Sequence, residues 1–103
     1  MKLLSKIIKW FKKIKKDKVK VVTNLSGTKF WLLNGELHRE GGPAVMYLNG
    51  DEWWYKHGKI HRIGGPAIIC GDDEQWWMDN KRCTTEEHDI AKLSKILKLL
   101  TKE

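Results

Sequence analysis

Apolar and polar residues alternate in short bursts through the middle of this chain, whereas at both ends apolar residues return every third or fourth position. The bursts "AVMYL" (44–48), "WWYK" (53–56), "IHR" (60–62) and "AIIC" (67–70) are rich in β-branched and aromatic residues that suit a pleated surface. Between them stand "NGDE", "HGK" and "GGP". Gly58 tolerates the positive φ of a tight turn, and Pro66 lacks the N–H that a central ladder needs. The pattern predicts a meander of short antiparallel strands, and "VKVVTNLSGTKFWLLNGELH" leads into it with turn points at Gly27 and Gly35. At the N-terminus Leu4, Ile7, Ile8, Phe11 and Ile14 fall on one helical face, with Lys6, Lys9, Lys12, Lys13 and Lys16 elsewhere on the wheel. At the C-terminus Thr84-x-x-Glu87 is a capping-box pattern, acids precede lysines as the helix dipole favours, and Ile90, Leu93, Ile96, Leu97 and Leu100 make an apolar stripe. Since the sheet needs one face covered, this helix is expected to pack on it or to cap its open edge. The fold class is therefore mainly β with flanking helices (α+β). It divides into a basic amphipathic helix over 1–18, hairpin repeats over 19–83 and a capping helix over 84–103.

The middle segment repeats itself. At a shift of 23 residues, Trp31, Trp54 and Trp77 align, as do Asn34, His57 and Asn80. Leu37-His38-Arg39 meets Ile60-His61-Arg62, and Gly41-Gly42-Pro43-Ala44 meets Gly64-Gly65-Pro66-Ala67. Phe30-Trp31, Trp53-Trp54 and Trp76-Trp77 form three aromatic pairs. There are two full units, with half-units at both ends. Asp72-Asp73 replaces Asn49-Gly50 and Lys81 stands at a turn glycine, so the last unit is read as an edge-capping copy.

The unit W-x-x-N-G-x-x-H-R-x-x-G-P-A resembles the tandem repeats of small proteins from tailed bacteriophages and some giant viruses, a variant of the MORN repeat. The resemblance covers residues 25–83 and rests on Trp31, Asn34, His38, Arg39, Pro43 and Ala44, with Trp54, His61, Arg62, Pro66, Ala67 and Trp77 in the second copy. It implies a hairpin per unit and an accessory protein acting on a host factor in the cytoplasm of an infected cell. The lysine-rich helix lies outside the repeat.

Charge changes this picture at one end only. Residues 1–20 hold nine Lys and one Asp, residues 21–83 seven basic and eight acidic side chains, and residues 84–103 four of each. The net charge of +7 is thus a property of the N-terminus. Cys70 and Cys83 have no metal-ligand spacing, and no run of 18 apolar residues exists to span a bilayer.

A recurrent His-Arg pair can be an anion-binding ladder or the fastening of a repeat, and recurrence at the repeat period favours fastening. Trp31, His38, Arg39, Pro43, Trp54, His61, Arg62, Pro66 and Trp77 are accordingly assigned to the scaffold. His57-x-x-x-His61 has helical metal spacing but lies in a turn, so no metal and no cofactor are expected. No nucleophile–base pair or phosphate loop appears, so a non-enzymatic role is expected. Neighbouring aromatics in a strand point to opposite faces, so Trp53 and Trp76 form the candidate outer row for a partner. Trp10, Phe11, Lys12 and Lys13 on the helix join them. The expected function is binding, and inhibition, of a host protein or defence complex. The rival is peripheral membrane or nucleic-acid binding through residues 1–20, which would place the chain at the inner membrane. Open sheet edges leave self-association as a further route.

Overall fold

The computed structural model describes residues 2–101, with the side chains of residues 13–16 outside that description. The chain runs α1 (Lys2–Lys16), β1 (Val19–Thr23), β2 (Lys29–Leu33), β3 (Glu36–Leu37), β4 (Val45–Met46), β5 (Glu52–Trp53), β6 (Tyr55–Lys56), β7 (Lys59–Ile60), β8 (Ile68–Cys70), β9 (Asp73–Met78), β10 (Lys81–Cys83) and α2 (Thr85–Thr101). Every strand pairing is antiparallel. The main sheet has the order β1-β2-β4-β5-β8-β9-β10, with β3 on the far half of β2, while β6 and β7 form a separate hairpin. The molecule is a mainly antiparallel β meander with a helix at each end, an α+β fold.

Period-two alternation sorts the side chains. Val22, Phe30, Val45, Trp53, Ile68 and Gln75 lie opposite one another across successive strands and therefore share one face. Trp31 and Trp54, each next along the chain, fall on the other. The buried apolar residues are Ala44, Val45, Ala67 and Ile68, the same dipeptide position in each unit. Each alanine is tied on both sides: the Trp31 N–H donates to the Ala44 carbonyl (2.8 Å) and the Ala44 N–H to the Trp53 carbonyl (2.9 Å). One repeat later the Trp54 N–H donates to the Ala67 carbonyl (2.7 Å) and the Ala67 N–H to the Gln75 carbonyl (2.8 Å). The Cα envelope measures 55 × 40 × 17 Å. Its radius of gyration of 16.8 Å exceeds the roughly 13 Å of a compact chain of this length.

Two rows of turns border the sheet. Along one, Asn34-Gly35, His57-Gly58 and Asp79-Asn80 are two-residue turns with both residues at positive φ, the geometry whose twist matches a hairpin. Along the other, the first two hairpins close through Leu25-Ser26-Gly27 and Leu48-Asn49-Gly50, three residues each. The third closes through Gly71-Asp72 alone. This missing residue corrects the 23-residue alignment of the last unit. His38 pairs with Trp31 and His61 with Trp54, but Cys83 pairs with Trp76. Trp76, not Trp77, therefore continues the Trp31–Trp54 row, and Asn80, not Lys81, holds the turn-glycine position. Trp53 and Trp76 consequently lie on opposite faces and do not form a common row, because a one-residue register change exchanges the two faces of a strand.

The C-terminal helix begins as its capping box predicts. The Glu87 N–H donates to Thr84 Oγ1 (3.1 Å), whose hydroxyl donates to the Glu87 carboxylate (3.2 Å). It packs at the β10 edge of the sheet, as expected, but not through its apolar stripe. α2 touches β9 and β10 with the face bearing buried His88 and half-buried Ala91, and His88 Nε2 lies 2.6 Å from the Arg62 carbonyl oxygen. On the helical wheel that face is roughly opposite Leu93, Leu97 and Leu100. The apolar stripe therefore does not pack on the sheet: it is 43% (Ile96) to 77% (Leu100) exposed.

Gly58 has φ of +77°, and a Cβ there would meet Glu36 Oε2 at 2.9 Å. The carboxylate can swing away, so the left-handed backbone sets the cost. Gly58→Ala is expected to lower the unfolding free energy by about 1 kcal/mol, read from the urea midpoint at unchanged slope.

Candidate functional site

The His-Arg-x-Gly-Gly-Pro loops are built by three recurrent contacts. The Arg39 guanidinium carbon lies 4.0 Å from the centre of the Trp31 ring, and that of Arg62 lies 3.6 Å from Trp54. Arg39 Nη1 donates to the Pro43 carbonyl (3.2 Å) and Arg62 Nη1 to the Pro66 carbonyl (3.0 Å). Glycine is needed beneath the stack, since a Cβ on Gly42 would stand 2.7 Å from Arg39 Cζ. Burial holds Arg62 below the usual arginine range, opposed by the nearby Glu52 carboxylate. Glu52 also accepts the Trp54 indole N–H (3.2 Å).

The histidines link one unit to the next. His38 Nδ1 accepts the His57 backbone N–H (2.9 Å), and His61 Nδ1 accepts that of Asp79 (3.2 Å). An acceptor Nδ1 places the proton of a neutral imidazole on Nε2. In His38 that group meets the Glu40 carboxylate at 3.0 Å. In His61 it is buried with no partner, because Ile63 occupies the position corresponding to Glu40. Burial, then Lys95, pulls the pKa of His61 below its ordinary value, with Asp79 pulling the other way and Lys56 and His88 adding to the decrease.

Beside the Arg–Trp stacks lie two open grooves, in corresponding places in successive units. One, of about 440 Å³, is lined by Val19, Trp31, Leu33, His38, Arg39 and His57. The other, of about 300 Å³, includes Arg39, Trp54, Lys56, His61 and Arg62. Each guanidinium lies over an indole and donates through Nη1 to the proline carbonyl of its own loop, so both arginines that line the grooves also fasten the repeat. Among the described residues no three His, Cys, Asp or Glu side chains converge as a metal site requires. Cys70 and Cys83 are free, half-buried thiols, and burial followed by Glu87 pushes Cys83 up, away from thiolate reactivity.

The residues singled out from the sequence for a partner are not brought together. Trp10, Phe11 and Lys12 are exposed on α1, and the Lys13 side chain lies outside the described residues. Trp53 is half-buried beside Val45 and Ile68, and Trp76 is half-buried on the opposite face. The surface missed by sequence reasoning is the outward stripe of α2. Its signal was His88, a polar residue that meets the Arg62 loop carbonyl, on the side away from the leucines.

The chain matches no family model, no curated protein and no solved structure. What the molecule does must be read from its own geometry.

Two outcomes follow from the orphaned imidazole. The folded-state pKa of His61 is lowered, so between that value and about 6.5 the unfolded chain binds the extra proton, and stability falls as pH drops through this interval. Thermal scans from pH 7 to pH 5 should show a falling midpoint, and His61→Asn should start lower but lose less over the same interval. Restoring the partner by Ile63→Glu is expected to stabilise the fold by about 1 kcal/mol at pH 7 and to flatten that dependence, again read by thermal scans.

Proposed function

We propose that the chain is a non-enzymatic accessory protein that occupies the surface of another protein through α2. The observation that carries this reading is the orientation of α2: its polar face is fixed to the sheet and its leucine stripe points outward. A helix held only by its first turns, with Leu93, Ile96, Leu97 and Leu100 at groove-binding spacing, suits a hydrophobic cleft in a partner. The sheet supports binding over catalysis, because its Arg and His side chains are engaged in contacts within the chain. The resemblance of the repeat to those of phage proteins directs the choice of partner to a host protein, which the chain would block rather than modify.

The test places a photo-crosslinking residue at Leu97 and, separately, at Asp89 near the fixed end of the helix. In cells the Leu97 probe should give a discrete adduct with a second polypeptide that the Asp89 probe does not. Leu93→Asp combined with Leu100→Asp should abolish that adduct while leaving the near-ultraviolet circular dichroism of the tryptophans unchanged. Adducts only with a second copy of this chain, or none, would overturn the reading.

A further inference from the structure

The second exposed amphipathic surface is α1, and its chemistry differs from that of α2. Leu3, Leu4, Ile7, Ile8, Trp10 and Phe11 are 47% (Ile8) to 71% (Leu3) exposed and fall within one arc of the helical wheel. Lys2, Lys6, Lys9 and Lys12 occupy the opposite arc, and the helix has no acidic residue in its first turn. Nine lysines against a single aspartate within residues 1–20 make the strongest charge concentration in the chain. Trp10 stands at the border between the arcs, where an indole meets lipid headgroups.

Two halves of this surface have to be satisfied at once. Nucleic-acid phosphates would neutralise the lysines but leave six large apolar side chains in water. A protein cleft would cover the apolar arc but would need a dense acidic rim for the lysines. An anionic bilayer surface supplies both, acyl chains beneath and phosphates beside. The length fits this mode: 15 residues rise about 22 Å, short of the roughly 30 Å hydrocarbon core, so the helix lies in the surface. No described helix is long and apolar enough to cross a membrane.

The root of α1 is fixed to the sheet. The Lys18 N–H donates to Asn34 Oδ1 (2.9 Å), the Asn34 N–H donates to the Lys18 carbonyl (2.8 Å), and Asn34 Nδ2 donates to Asp17 Oδ1 (3.1 Å). The turn of the first unit thus holds both residues that join helix to strand, and a helix seated in lipid would hold the sheet at the membrane with it. We propose that α1 docks on an anionic phospholipid surface, its Leu–Ile–Trp arc in the acyl boundary and its lysines against the lipid phosphates. This surface is independent of the α2 contact.

The experiment is co-sedimentation of the full chain with phosphatidylcholine vesicles, alone and mixed with phosphatidylglycerol, at low and physiological salt. Binding is expected only to the mixed vesicles. Leu4→Asp with Ile8→Asp should lower the partition coefficient at least tenfold, as should Lys6→Glu with Lys9→Glu, whereas Lys6→Arg with Lys9→Arg should retain it. Cooperative thermal unfolding of each variant, measured without lipid, ensures that loss of binding is not loss of fold. No binding to mixed vesicles, or apolar-arc variants that bind like the parent, would overturn the proposal. Tighter binding to duplex DNA than to the vesicles, insensitive to the apolar-arc changes, would overturn it in favour of nucleic acid. Because α2 is unaltered in every variant, failure here leaves the crosslinking result at Leu97 unchanged.

Discussion

A two-residue turn with both residues at positive φ leaves two backbone N–H groups that its own hairpin cannot use. In the second and third turns the preceding unit accepts both. Leu37 and Ile60 offer carbonyls to Gly58 and Asn80, and His38 and His61 offer Nδ1 to His57 and Asp79. Short strands that pair over two or three residues gain from these contacts, which add to the backbone bonds at Ala44 and Ala67 in holding successive hairpins in register. The imidazole acceptor thus helps to place each next turn over the preceding unit. Histidine suits this place because its two ring nitrogens can serve two partners: in His38 Nδ1 accepts from the turn while Nε2 meets the Glu40 carboxylate.

Because the array is a single layer, it has room for only a thin core. Alanine and a β-branched neighbour fill the centre of each unit, and the tryptophans on both faces are half-covered by what lies beside them in the sheet. Among the described residues most of the exposed large aliphatic side chains lie on the two helices. A single-layer sheet with so thin a core leaves the apolar faces of both helices available for contact elsewhere.

Much of this was legible in the residues themselves. Apolar periodicity located both helices, the turn residues located the hairpins, and Thr84 with Glu87 marked the start of α2. What misled was the strictness of the period. Gly71-Asp72 closes its hairpin with one residue fewer, and a comparison at constant spacing cannot see a deletion inside a turn when a Trp-Trp pair offers either register. The orientation of α2 was hidden for a different reason. An apolar stripe normally marks the packed face, but here a single imidazole-to-carbonyl contact and a small alanine make the attachment. A sequence shows which side of a helix is oily, not which side has a place to go.

The two helices leave the array from opposite edges, α1 from β1 and α2 from β10. Units are added between them, and each complete unit inserts two strands at about 4.8 Å spacing, or roughly 10 Å. Copy number is therefore a length setting. Duplicating one 23-residue unit would move the C-terminal helix farther from the N-terminal one without altering a residue of either, so reach can change by gene-internal duplication while both contact surfaces stay as they are.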